Sequence, residues 1–145
     1  MPSQLNSGAS LTAGQSLTAG VSNRYVLTMQ TNCVLVLLDT STNPNKILFT
    51  SPNAPSQAPQ SGVVCTMQPN GILQIILHGG ILCSSTGHAN GACLFLQDTG
   101  TTGVASVRKT CSATGGVVWD TTQTMTLPPG AAAEKLIGLQ TDLGA

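Results

Sequence analysis

The stretch Met29-Gln30-Thr31-Asn32-Cys33-Val34-Leu35-Val36-Leu37-Leu38-Asp39 decides the fold. Thr31-Asn32 supplies a turn, and Val34 to Leu38 is a short aliphatic, β-branched run of the kind that forms strands. Upstream, Tyr25-Val26-Leu27-Thr28-Met29-Gln30 predicts a partner strand. Downstream, Asp39 to Asn45 is a polar loop before another short strand at Ile47-Leu48-Phe49. The pattern then returns. Met67-Gln68-Pro69-Asn70-Gly71 repeats the opening, and Leu96-Gln97-Asp98-Thr99-Gly100 is a weaker third copy. Each copy leads through an apolar strand and a turn to a closing triplet: Ile47-Leu48-Phe49, Ile81-Leu82-Cys83 and Val117-Val118-Trp119. Ser, Thr or Asp follows each triplet. Order and spacing both recur, which favours a true repeat over chance similarity in a Thr- and Leu-rich chain. A unit of roughly 35 residues cannot bury its own apolar face, whereas three packed about a common axis can. Phe49, Cys83 and Trp119 are then expected near that axis.

Working outward, Ser10-Leu11-Thr12-Ala13-Gly14 and Ser16-Leu17-Thr18-Ala19-Gly20 form a tandem that suits two short edge strands joined by a tight turn. Residues 51–62 carry three prolines and read as a long irregular loop. Pro128-Pro129-Gly130 ends the β region, which sets a domain over 1–127 and a tail over 128–145. Residues 131–139 suit a short helix, marginal alone. Leu136, Ile137, Leu139 and Leu143 need a surface to cover, so the tail either frays or docks on a neighbouring chain.

Composition narrows the class. The chain has 145 residues, 41% of them hydrophobic, 3% aromatic and 7% charged, with zero net charge. An aliphatic core in an all-β domain follows. Nucleic-acid binding needs a basic face, and only Arg108 and Lys109 are adjacent among the basic residues. No apolar run approaches the roughly 18 residues of a membrane span. Met1 to Asn6 lacks the charged and apolar regions of a signal peptide, which reads as cytoplasmic unless the chain is a processed form.

Residues 5–39 resemble the opening of the monocot mannose-binding, bulb-type lectins. That family reads roughly as Ser-Gly, Leu at fixed offsets, Gly before an aromatic strand, then Met-Gln-x-Asp-Cys-Asn-Leu-Val-Leu-Tyr-Asp. The likeness extends over about residues 5–122, strongest in the first repeat and poorest in the third. It implies a β-prism II fold, three four-stranded antiparallel sheets with pseudo-threefold symmetry, plus the short C-terminal tail. It also implies one shallow mannose site per sheet, and frequent dimerisation.

The family's binding motif is Gln-x-Asp-x-Asn-x-Val-x-Tyr. Alternate strand residues share a face, so the polar members form a row for adjacent sugar hydroxyls while Val meets the ring carbons. Here the first copy gives Gln30, Asn32, Val34, Val36 and Leu38. The second gives Gln68, Asn70, Ile72, Gln74 and Ile76. The third gives Gln97, Thr99, Thr101, Gly103 and Ala105, with an insertion up to Gly116. The carried-over sugar-binding residues are Gln30, Asn32, Val36, Gln68 and Asn70. Each lost hydrogen bond costs about 0.5–1.5 kcal/mol, more for a charged acceptor, so mannose binding is expected to be weak or lost. Two readings follow. One is a lectin-like module for a mannose-type glycan or glycoprotein. The other is a structural or protein-interaction module, with a protein partner or homodimer, in which Val34, Leu38, Ile72 and Ile76 make the grooves sticky.

The resemblance also implies a Cys33–Cys65 disulfide. Cys93 and Cys111 suit a second bridge across a hairpin turning near Thr101-Thr102-Gly103, and Cys83 reads as a buried thiol. Cys83-x4-His88-x4-Cys93 lacks the tight cysteine pairs of zinc sites, so no metal and no cofactor are expected. Two histidines, five acidic residues and no Gly-x-Ser-x-Gly elbow argue against an enzyme.

Overall fold

In runs such as Tyr25–Met29 and Val63–Met67, buried and half-buried residues alternate, so each strand has one side for the core and one for solvent. The computed structural model describes residues 2–128. Its strands are β1 Gln4–Leu5, β2 Ser10–Thr12, β3 Ser16–Ala19, β4 Tyr25–Met29, β5 Leu35–Asp39, β6 Lys46–Thr50, β7 Val63–Met67, β8 Leu73–Leu77, β9 Gly80–Ser84, β10 Cys93–Asp98, β11 Gly103–Arg108 and β12 Val117–Asp120. They form three four-stranded sheets, ordered β3-β4-β5-β6, β2-β7-β8-β9 and β1-β10-β11-β12. Every pairing is antiparallel. This is the β-prism II architecture.

Register makes the threefold relation explicit. Leu37 faces Phe49, Ile75 faces Cys83 and Val107 faces Trp119, each beside a bulge. Phe49 and Trp119 meet edge to face with centroids 5.7 Å apart, and Cys83 belongs to the same buried cluster. After each closing strand a hydroxyl braces the middle of its sheet. Ser51 Oγ accepts from the Leu35 N–H at 2.9 Å, Ser85 Oγ from Leu73 at 2.8 Å, and Thr121 Oγ1 from Ala105 at 3.1 Å.

The tandem near the N-terminus does form edge strands joined by a tight turn, but in different sheets. β1, β2 and β3 each close one sheet, burying Leu5, Leu11 and Leu17 in turn. Gly8, Gly14 and Gly20, six residues apart, turn the chain from sheet to sheet at φ of 84°, 87° and 85°, a conformation that suits glycine. At the corner of the first sheet, Arg24 grips Asp39 through two hydrogen bonds of 2.9 Å.

The structure corrects two expectations. Cys33 and Cys65 are not bridged; both are free and wholly buried. Burial pushes both thiols up, so neither is a ready thiolate in the folded chain. The disulfide joins Cys93 to Cys111. The third repeat is also re-registered. Leu96 faces Ala105 as Met29 faces Leu35 and Met67 faces Leu73. The positions matching Val34, Val36 and Leu38 are therefore Val104, Ser106 and Arg108, not Thr101, Gly103 and Ala105. An extended turn at Thr99–Thr102 causes the shift. The described chain ends beside β9, where Thr126 bridges Ser84. The helix expected over 131–139 lies outside the described residues.

Candidate functional site

Each sheet turns one face outward, and the three faces differ in chemistry. On the first, Gln30 follows β4 and its backbone N–H bonds to the Val34 carbonyl at 3.1 Å. Asn32 accepts from the Val34 N–H through its carboxamide oxygen at 3.2 Å, an Asx turn that occupies one of that oxygen's two lone pairs and leaves the NH2 group for a ligand. Val36 is nearly covered. Leu38 lies between Val26 and Ile47 across the strands, and Ile47 is 60% exposed. Gln30 and Asn32 thus stand at the end of an aliphatic surface. Ser16 and Thr28 add one hydroxyl pair, 2.8 Å apart.

The second face is polar along one row and apolar along the next. Gln68 Nε2 donates to Gln74 Oε1 at 3.1 Å, and Gln74 Nε2 donates to Ser84 Oγ at 3.3 Å. Ser10 and Thr66 hydroxyls sit 2.7 Å apart in the same row. Asn70 repeats the Asx turn of Asn32, accepting from the Ile72 N–H at 3.1 Å. The neighbouring row is Val64, Ile76 and Ile81. Gln74 was missing from the residues picked out by the sequence motif, because the motif holds an apolar residue there. Its alternation with the buried Leu73 and Ile75 is the signal that places it outward.

The third face is covered. The Cys93–Cys111 disulfide pins the segment after β11 across it. Gln97 Nε2 donates to the Ala113 carbonyl at 3.5 Å, and Arg108 Nη1 to the Gly115 carbonyl at 2.8 Å.

The residues named on the first two faces offer neutral amides and hydroxyls beside aliphatic carbon. That set suits polyol hydroxyls through uncharged hydrogen bonds, and none of these side chains supplies a carboxylate. Among the described residues, no cluster of three His, Cys, Asp or Glu side chains is placed to hold a metal ion. No helix among them is long and apolar enough to cross a membrane.

No protein-family profile and no curated protein matches this sequence. Solved structures do. A lectin from Allium sativum is 30% identical, with 71% of this chain and 91% of that one covered at a TM-score of 0.56. A monomeric monocot mannose-binding lectin from Gastrodia elata is 22% identical over 82% and 96% of the two chains, TM-score 0.59. The snowdrop (Galanthus nivalis) mannose-specific agglutinin, complexed with methyl-α-D-mannoside, is 22% identical over 79% and 98%, TM-score 0.55. The last two add the shared fold. With the garlic lectin at 30% identity over nearly all its length, and three four-stranded antiparallel sheets in this chain, the protein belongs to the monocot bulb-type lectin family.

Proposed function

We propose that the chain is a carbohydrate-binding, lectin-like module in which mannose recognition is weakened at the first face and concentrated on the second. The observation that supports this most is the Gln68–Gln74–Ser84 row. Three side chains on adjacent strands form one line of donors and acceptors, open to exchange with sugar hydroxyls. The fold shared with mannose-binding relatives supports the ligand class. Neutral hydrogen bonds contribute about 0.5–1.5 kcal/mol each, so affinity in the millimolar range is expected. Asn70 lies beside this row, two residues from Gln68, while Gln30, Asn32 and Val36 remain as a second, poorer set.

A protein-interaction role is the alternative, favoured by the Val26–Leu38–Ile47 row with its exposed isoleucine. Titration with a mannose-rich oligosaccharide, followed by backbone amide shifts, separates the two. Saturable shifts at Gln68, Gln74 and Ser84, abolished by Gln74→Leu, support the lectin reading. No shift on either face at tens of millimolar sugar rejects it and leaves the interaction role.

A further inference from the structure

The third face is closed in a way the other two are not. Cys93, Phe95 and Ser106 point away from the core, yet they are only 1%, 7% and 2% exposed. Their counterparts on the second face, Val64, Thr66 and Gln74, are half-buried. Two elements lie on this face: the Ser7 backbone, whose N–H is 3.3 Å from Cys93 Sγ, and the loop 109–116. The loop folds back over β10 and β11, is tied at its base by the Lys109 N–H to the Gly116 carbonyl at 2.9 Å, and is fastened to the sheet by the Cys93–Cys111 disulfide.

What the loop offers the face is specific. It presents two carbonyl oxygens, one to the Gln97 amide and one to the Arg108 guanidinium. Arg108 Nε is buried and has no acceptor. Arg108 as a whole is half-buried, but a buried donor atom left unmet is costly, and the planar fork fits a carboxylate through two parallel bonds. Phe95 lies on the same outer face, two residues from Gln97 and opposite Ser106. An aromatic ring, a guanidinium, an amide and a hydroxyl together suit a sugar ring bearing a carboxylate. The loop satisfies this set only in part.

We propose that loop 109–116 is a disulfide-latched cap over a latent binding face for a carboxylate-bearing sugar. Opening is a two-electron step. A dithiol reductant gives up two electrons and two protons, the Cys93–Cys111 bond breaks to two thiols, and the reductant closes to its own disulfide. The freed loop withdraws its two carbonyls, and the sugar carboxylate takes Arg108 while its ring covers Phe95. This goes beyond the neutral-sugar reading, since it concerns another face and another ligand, and each face reports through its own amides.

The test uses the full chain in three forms: oxidised, treated with a dithiol, and Cys111→Ser. Each is followed by amide hydrogen exchange and titrated with trigalacturonate and, as the neutral control, a galactose trisaccharide. Expected are faster exchange over 109–116 and at Gln97 in the two unlatched forms, with saturable trigalacturonate shifts at Gln97 and Ser106 that the oxidised chain lacks. Arg108→Gln in the unlatched chain should weaken binding by about tenfold or more, the loss of a charge-assisted pair. Should Cys111→Ser fold poorly, Gly115→Ala replaces it: an added Cβ there meets the Lys109 carbonyl oxygen at 2.3 Å, so the cap must shift with the disulfide intact. Unchanged exchange on reduction overturns the latch. Absent binding, equal binding of the neutral sugar, or indifference to Arg108→Gln overturns the ligand.

Discussion

The three hydroxyl braces permit a prediction with its own internal controls. Ser85→Ala removes the acceptor of the Leu73 N–H, a bond of 2.8 Å between two buried residues. No water replaces it, because Leu73 is wholly covered. An orphaned buried donor costs about 1–3 kcal/mol, which for a domain of this size lowers Tm by roughly 3–10 °C. Ser51→Ala should cost a similar amount. It orphans the equally buried Leu35 N–H in the same way. Thr121→Val should cost least, since its bond to Ala105 is longer and less enclosed. Equilibrium urea unfolding gives the answer, provided the slope m is unchanged, so that a shifted midpoint reports stability alone. If all three variants lie within about 0.5 kcal/mol of the parent, the level of neutral surface changes, the hydroxyls do not brace the sheets and the reasoning fails.

Three further outcomes are expected. Arg24, above all by its hydrogen bonds, holds the Asp39 carboxyl well below the usual carboxylate range; the pair therefore stabilises the fold above about pH 4, the unfolded value, and loses that contribution as acid protonates Asp39. Tm measured from pH 7 downward should fall for the parent and converge on Asp39→Asn at the acid end; parallel curves would refute the pair's role. Gly103→Ala places a Cβ 2.4 Å from Tyr25 Cγ, and the overpacking should cost about 1–3 kcal/mol in thermal or urea unfolding. Cys33, Cys65 and Cys83 are enclosed with raised thiol pKa values, so a thiol reagent should label none of them in the folded chain and all three in denaturant; rapid labelling of the native protein contradicts their burial.

Much of the fold was legible in the sequence. The return of Met29-Gln30 as Met67-Gln68 located the strand ends, and the closing triplets located β6, β9 and β12. The tandem holding Leu11 and Leu17 was equally open to view, though the fact that Leu11 serves a different sheet depends on a partner far along the chain. The third repeat was misread because the Thr99–Thr102 turn lies inside the motif, and residue counting carries no warning of an inserted turn. The Cys93–Cys111 bridge was open to view as a pair across the β10–β11 hairpin, whereas the Cys33–Cys65 pairing followed likeness to relatives and the structure leaves both thiols free in the core. The Gln68–Gln74–Ser84 row was hidden for a different reason. Ser84 reaches it only because β9 pairs back on β8, a long-range consequence of the hairpin.

The edge strands β1, β2 and β3 also impose an order on chain synthesis. Leu17 finds its partner Leu27 almost at once, Leu11 waits for Cys65, and Leu5 waits for Leu94. The segments are laid down in the reverse of the order in which they can be used, like nested brackets closing from the inside out. Non-local closure is slow because chain entropy is lost before contacts repay it. The third sheet therefore stays open until almost the whole domain has left the ribosome, and the second and third repeats, cut out alone, lack their own fourth strand, whereas the first carries β3 directly ahead of β4.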